Sequence, residues 1–294
     1  MVAVAPGPAS KKLGFKVAGE VGAELVEVES KVFPDGESYV RFTRDVEGKD
    51  LVVVQSCYPP QDKHFVELLL MVKTAKELGA RRVAAVVPYL AYSRQDKRFL
   101  EGEAVSGRVL LELLGAAGVD FLVTVDIHSE SILEELSYEA VNVTAMPLLA
   151  RYLADLGLER PLVLSPDRRR EREAGIVARE LGTEHSWLEK TRDLKTGEVK
   201  TQVKELPVEG RDVVIVDDII STGGTIANAA RIVKEQGARR VVAACTHPIL
   251  SPGAEERMRS AGVEIVVGTD SVESSVSLVT VAPAVAEALK RRFL

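Results

Sequence analysis

Three stretches of this chain recur in the same order. Asp50-Leu-Val-Val-Val-Gln returns as Asp212-Val-Val-Ile-Val-Asp, Gly79-Ala-Arg-Arg-Val as Gly237-Ala-Arg-Arg-Val, and Ala117-Gly-Val-Asp-Phe-Leu-Val as Ala261-Gly-Val-Glu-Ile-Val-Val. Ordered self-similarity of this kind marks one supersecondary unit used twice. The short aliphatic, largely β-branched runs inside it have the content of strands buried on both faces of a parallel sheet. Helical patterning over 65–78, closed by Gly79, and over 105–114 supplies the crossovers. The expected fold is therefore α/β, with two tandem domains, each a mainly parallel sheet flanked by helices. The expected boundaries are 1–143 and 144–294, joined by a linker near 141–147 and a helix over 148–156. A length of 294 residues suits two such cores better than one.

The two copies differ where chemistry would reside. In the second, Val213-Val-Ile-Val reads as a buried strand ending at Asp217 and Asp218. The turn Ser221-Thr222-Gly223-Gly224-Thr225 follows, and an amphipathic helix begins at Ile226. Small residues before a helix let successive N–H groups and the positive end of the helix dipole converge on one anion, and phosphate is the natural guest. Carboxylates beside such a hole accept hydrogen bonds from vicinal hydroxyls or hold Mg2+, so the combination suggests a sugar phosphate. A bare strand-turn-helix with solvated aspartates would explain any one part; all four parts together favour the binding loop. The absence of Gly-Lys-Ser/Thr excludes a Walker A loop, and G-x-G-x-x-G is missing too. In the first copy the same place reads Tyr58-Pro-Pro-Gln, so only the second is expected to bind sugar phosphate.

Other candidates sit at predicted strand exits. Alternation in 24–29 followed by Phe33-Pro-Asp35-Gly36-Glu37 reads as a strand entering a tight turn. Tyr89–Arg98 mixes aromatics, cations and an amide, a composition that can stack a base and neutralise phosphate and is equally that of a solvated loop. Strand periodicity places Asp126 and His128 on one face at the end of 119–128. Pro161–Asp167 is a short strand with an acid at its tip, and Arg168-Arg169-Arg170 follow. The region 188–207 is polar and turn-prone, as a mobile lid or, the better reading, an exposed hairpin would be. Since open α/β sheets bind ligands beyond the carboxyl ends of their strands, these exits are expected to line one cleft.

Composition narrows the partners. With 38 basic and 44 acidic residues and a net charge of −6 there is no global basic field, so nucleic acid is not expected. The only cysteines, Cys57 and Cys245, lack C-x-x-C spacing; they argue for a reducing compartment, against zinc, and for packing as small hydrophobes. No stretch reaches the apolar length of a membrane helix and the N-terminus lacks a signal-peptide pattern, so a cytoplasmic location is expected.

The motifs Phe33-Pro-Asp-Gly-Glu, Pro88-Tyr-Leu-Ala-Tyr-Ser-Arg-Gln-Asp, Val125-Asp-Ile-His, Ser165-Pro-Asp, Glu189-Lys-Thr-Arg and the Asp217–Thr225 loop together resemble the ribose-phosphate pyrophosphokinases, or PRPP synthetases, in their compact archaeal form. The resemblance spans nearly the whole chain. It implies two phosphoribosyltransferase-like domains, the first serving ATP and the second ribose 5-phosphate, with the last helix (282–294) packed back on the first. The implied reaction is Mg2+-dependent transfer of the diphosphoryl group of ATP to the 1-hydroxyl of ribose 5-phosphate, giving PRPP and AMP for nucleotide biosynthesis. By motif, Arg94, Gln95 and Asp96 contact ATP, and Phe33, Asp35, Gly36 and Glu37 hold adenine from a neighbouring subunit, which implies a homo-oligomer of at least two chains. His128 and Asp167 hold Mg2+ with ATP. Asp217, Asp218, Ser221, Thr222, Gly223, Gly224 and Thr225 cradle ribose and its 5-phosphate, with Arg192 also at that site. Lys190 and Arg192 act on the reacting group. Family members carry small residues after the acid matching Asp167; the arginines here imply either side-chain phosphate ligands or a displaced loop. Two other readings are a PRPP-consuming phosphoribosyltransferase and a non-catalytic regulatory paralogue of a synthetase. Two tandem domains and the Arg94–Asp96 and Lys190/Arg192 motifs count against the first, and retention of Lys190, Arg192 and the loop against the second.

Overall fold

The computed structural model describes residues 1–134, 136–192, 199–202 and 205–294, with the backbone alone at 190–192 and 199–202. The chain divides into two compact units, Met1–Thr144 with Thr280–Leu294, and Ala145–Val279.

The first unit begins with a strand and helix for which the sequence carries no strong signal, β1 (Val2–Pro6) and α1 (Lys11–Val21), the helix closed by Gly22 in the left-handed region at φ 66°. There follow β2 (Glu24–Leu25), the pair β3 (Val28–Val32) and β4 (Ser38–Phe42), β5 (Asp50–Val54), α2 (Gln61–Glu77), β6 (Arg82–Val87), α3 (Ser106–Ala117), β7 (Phe121–Val125) and β8 (Glu139–Val143). The sheet runs β2-β1-β5-β6-β7-β8, all parallel, while β3 and β4 form a separate antiparallel hairpin. The alternation expected as one strand over 24–29 is thus split between a sheet edge and a hairpin. The expected linker is also corrected. Residues 141–143 belong to β8, whose β-branched alternation pairs from Phe121↔Glu139 to Val125↔Val143, and the helix after it starts at Met146, admitting Pro147 in its first turn.

The second unit repeats the plan: α4 (Met146–Ala154), β9 (Leu162–Ser165), α5 (Glu171–Glu180), β10 (Glu184–Trp187), β11 (Glu189–Arg192), β12 (Val199–Gln202), β13 (Asp212–Ile220), α6 (Gly224–Glu235), β14 (Arg240–Pro248), α7 (Ala254–Ser260), β15 (Ile265–Thr269) and β16 (Ser277–Val279). Its sheet order, β10-β9-β13-β14-β15-β16, places equivalent strands as in the first unit, and the antiparallel pair β11–β12 interrupts the chain where β3–β4 does. Both units therefore show the order 2-1-3-4-5-6, with a switch point between their first and third sheet strands. The final helix α8 (Ala282–Arg292) belongs to the first unit. There Phe293 stacks on Phe121 with centroids 6.0 Å apart, and the Arg82 guanidinium lies 4.5 Å from the Phe293 ring.

The repeated Gly-Ala-Arg-Arg segment has one structural job in both copies. Arg81 and Arg82 bind the carboxylate of Asp50, which is buried at the start of β5, while Arg239 binds Asp212 at the start of β13 with bonds of 2.8 and 2.6 Å. Each central strand is thereby anchored at its entry end, leaving its exit end for chemistry. The cores are aliphatic: Val213, Ile215, Ala227 and Ala230 meet between β13 and α6, and Val214, Val216, Ala174 and Val177 meet between β13 and α5.

Candidate active site

In the second unit the site is built around the exit of β13. The strand does not stop at the acids. Its parallel register with β14 continues through Asp217↔Cys245 to Ile220↔Pro248, because Ile219 and Ile220 are themselves buried and extend the aliphatic run. This corrects the expectation that Asp217 and Asp218 terminate the strand. Val213 and Ile215 pack in the cluster with α6 and Val214 and Val216 in the cluster with α5, but that alternation does not run on through the acids: Ile220 joins the α6 cluster, and the carboxyls of Asp217 and Asp218 stay within hydrogen-bonding reach of each other.

The two carboxylates are adjacent but differ in their other partners. Asp218 is buried; its Oδ1 accepts from Ile219 N at 2.9 Å and its Oδ2 from the Arg170 guanidinium, which also donates to Glu173 at 3.1 Å. Burial works against the charge on Arg170, but Asp218 and Glu173 outweigh it and keep the guanidinium protonated. Asp217 is partly exposed and accepts from Asp218 N at 2.9 Å. Burial of its carboxyl and the adjacent Asp218 charge push it well above the ordinary carboxylate range.

The turn after Ile220 is held open. Leu250 N and Ser251 N donate to Ile220 O and Ser221 O, each at 3.0 Å, and Arg257 Nη1 donates to Thr222 O at 2.6 Å. Gly223 caps α6 in the left-handed region at φ 72°, and a Cβ there would lie 2.9 Å from Ala254 O. Gly223 has no side chain to cap the helix, and Thr222 Oγ1 accepts from Gly224 N at 3.4 Å. The other N–H groups of its first turn have no carbonyl one turn back, and they face the space before the helix, where an anion could be held. Across the β9/β13 switch point, Ser165 Oγ donates to Asp167 O at 2.6 Å and Asp167 Oδ1 accepts from Arg169 N at 3.0 Å. Residues Arg168–Arg170 thus form a 3-10 turn capped by Asp167. The expected alternatives for this segment resolve into separate contacts, with Arg170 turned to Asp218 and Arg168 over the Trp187 ring at 5.9 Å.

The first unit's switch point is closed. Gln55, the repeat partner of Asp217, accepts from Ala9 N at 2.9 Å and donates to Glu67 at 3.2 Å and to His64 O at 3.3 Å, while Ser56 N donates to Ser10 Oγ at 2.8 Å. A neutral amide bonded on both ends replaces an acid with capacity to spare.

Elsewhere in this unit, the Phe33–Glu37 turn caps the β3–β4 hairpin, with Phe33 N donating to Glu37 O at 2.8 Å and Asp35 Oδ1 accepting from Glu37 N at 3.3 Å. Phe33 and Tyr39 meet edge to face at 5.9 Å with Lys31 about equally near both rings. Phe33, Asp35, Gly36 and Glu37 are exposed. Arg94 is also exposed, whereas Gln95 donates to Glu103 at 3.2 Å and to Lys97 O at 3.3 Å. Asp96 Oδ2 accepts from Ser129 Oγ at 2.6 Å, which brings the Arg94–Asp96 loop beside the His128 loop. The expectation that strand periodicity aligns Asp126 with His128 fails, because β7 ends at Val125 and Asp126 turns to φ 38°. The loop is set instead by Asn142, whose Oδ1 accepts from Ile127 N at 3.0 Å. Lys190 and Arg192 lie on β11, paired with Thr201 and Val199 of β12 as a hairpin requires; their side chains lie outside the described residues.

Sequence reasoning missed Ser129, Asn142, Ser251 and Arg257. Each acts on a loop distant in sequence, and no local pattern marks it.

A twice-used 2-1-3-4-5-6 parallel sheet with acids and a glycine-headed helix start at one switch point defines a phosphoribosyltransferase-type α/β protein. A model of the phosphoribosyl transferase domain matches residues 133–280, and a model of the N-terminal domain of ribose phosphate pyrophosphokinase matches residues 2–118. The chain belongs to the ribose-phosphate pyrophosphokinase family. It is 44% identical to the ribose-phosphate pyrophosphokinase of Sulfurisphaera tokodaii, over 95% of this chain and 97% of that one. With the Methanothermobacter thermautotrophicus protein of the same name it shares 44% over 96% and 98%. The crystal structure of phosphoribosylpyrophosphate synthetase from Mycobacterium smegmatis superposes with a TM-score of 0.86 at 31% identity, covering 98% of this chain and 97% of that one.

Proposed function

We propose that this protein transfers the diphosphoryl group of ATP to the 1-hydroxyl of ribose 5-phosphate, forming PRPP and AMP for nucleotide biosynthesis. The observation that carries the reading is the second unit's acid pair followed, beyond residues 219–222, by a helix start headed by Gly223. Acids take sugar hydroxyls and helix N–H groups take the 5-phosphate, so ribose 5-phosphate is fixed at both ends while its 1-hydroxyl stays free to attack. Asp217, Asp218 and Ser221–Thr225 serve that end. Arg94, Gln95 and Asp96 bind ATP, and the exposed Phe33–Glu37 hairpin tip offers adenine an aromatic face and hydrogen-bonding groups from a neighbouring subunit of a homo-oligomer. Lys190 and Arg192 place positive charge where it accumulates on the phosphoryl oxygens.

Asp167 and His128 suit Mg2+ that arrives with ATP. Asp167 is partly exposed at the tip of its strand, and among the described residues no cluster of three or more His, Cys, Asp or Glu makes a cage for a resident ion. Mg2+ commonly takes one or two protein ligands and completes its shell with water and phosphate oxygens. When bound it would neutralise phosphate charge. No helix among the described residues is long and apolar enough to cross a membrane, and the acidic net charge of −6 supports small-molecule substrates rather than nucleic acid.

Incubation with ATP, Mg2+ and ribose 5-phosphate should yield AMP and PRPP in equal amounts. AMP without PRPP, or neither product, would exclude the reaction.

A further inference from the structure

The two loops flanking the β9/β13 switch point are tied together by one buried ion pair. Arg170, at the end of the 3-10 turn after β9, reaches across to Asp218 on β13. Only 13% of its side chain is exposed, against 5% for Asp218 and 18% for Glu173, which completes the cluster. Neither Asp218 oxygen is loose: Arg170 holds one and Ile219 N the other. Asp218 carries the buried contact to Arg170, whereas its neighbour Asp217 is partly exposed and accepts from Asp218 N, so the acids do not form one interchangeable pair.

We propose that Arg170 is a positioning residue for ribose 5-phosphate: by clamping Asp218 it fixes the exit of β13, and with it Asp217 and the Ser221–Thr225 loop, against the Asp167 turn. The inference rests on the sugar-phosphate reading of that loop. A planar guanidinium can donate to Asp218 and Glu173 at once, holding three segments in register. Lysine keeps the charge but loses the fork.

The test compares Arg170→Gln, Arg170→Lys, Asp218→Asn and the double variant Arg170→Gln/Asp218→Asn with wild type, by steady-state kinetics in both substrates. In Arg170→Gln the KM for ribose 5-phosphate should rise about tenfold or more, since removing one partner of a buried charge pair strands the other. KM for ATP should stay within about twofold, and Arg170→Lys should fall between wild type and Arg170→Gln. If the clamp acts through Asp218, the double variant should be no worse than the poorer of Arg170→Gln and Asp218→Asn. A purely structural role would lower the active fraction, and so kcat, while leaving both KM values alone; that result, or equal rises in the two KM values, overturns the proposal. Should Arg170→Gln not fold, as judged by circular dichroism, Arg170→Lys decides alone: a raised ribose 5-phosphate KM supports the clamp and unchanged KM values refute it. If wild type makes no PRPP, the proposed reaction fails but the clamp does not. Calorimetric titration of wild type and Arg170→Lys with ribose 5-phosphate then reads it directly, and equal affinities refute it.

Discussion

Gly223 and Gly224 are adjacent in the same loop, yet the structure assigns them opposite tolerance for a methyl group. At Gly223 the backbone stands at φ 72°, and an added Cβ would meet Ala254 O at 2.9 Å and Met258 Cγ at 3.0 Å. The left-handed conformation costs alanine about 1 to 2 kcal/mol. The carbonyl contact cannot be relieved by rotating a side chain, so α6 and α7 must separate, and a strained insertion of this kind costs roughly 1 to 3 kcal/mol more. Gly223→Ala should therefore destabilise the second unit by about 2 to 5 kcal/mol. At Gly224 the nearest atom is Thr222 Oγ1 at 3.6 Å, ordinary contact distance, and the residue is already helical. Gly224→Ala should be neutral or stabilising by up to about 1 kcal/mol, through the unfolded chain it stiffens. The single tryptophan, Trp187, lies in the second unit and reports its urea unfolding by fluorescence without contribution from the first. Equal midpoints for the two variants, or a Gly223→Ala midpoint at the wild-type value, would show that the close approach of the Ala254 backbone is not what requires glycine.

Lys190→Ala should reduce kcat about a hundredfold or more while changing KM values little, because its proposed charge acts mainly where negative charge develops; an unchanged kcat removes the lysine from the mechanism. Hydrogen bonds from Arg81 and Arg82 hold the Asp50 carboxyl far below its ordinary range. A depressed folded-state pKa stabilises above the unfolded value, about 3.9, and that stability is lost as pH falls toward the folded one. The wild-type urea midpoint should accordingly drop more steeply than that of Asp50→Asn between pH 5 and pH 2, and parallel curves would refute the assignment. Burial pushes the Cys57 and Cys245 thiols far above their usual range, so neither should react with a thiol reagent at about pH 8 until urea is added; rapid labelling of the native protein would contradict their burial.

Much of the architecture was legible because it depends on local composition. The β-branched runs at 51–54 and 213–216 can satisfy neither face in water, so both become central strands. Their repetition foretold two sheets of one order, and the Gly-Ala-Arg-Arg segments foretold equivalent turns. Helix starts were misplaced where the first turn is polar: α2 begins at Gln61, ahead of the apolar pattern at Phe65. The phosphate loop was readable for a different reason, since glycine before a helix advertises a backbone requirement that no partner elsewhere can supply.

The acids show where such reading stops. A sequence records that Asp217 and Asp218 are neighbours, and composition alone ends the strand there. Pairing with β14 carries the strand two residues further, and burial against Arg170 sets Asp218 apart from the partly exposed Asp217. Arg168–Arg170 read as one block of charge, yet burial beside Asp218 and Glu173 separates Arg170 from the other two. Residue type and spacing set which chemistry the chain can perform, because hydrogen-bonding capacity and backbone freedom belong to each residue. Which oxygen stays available, which charge is neutralised and which loop is braced depend on groups brought together from across the chain, and those interactions exist only once the sheet has formed.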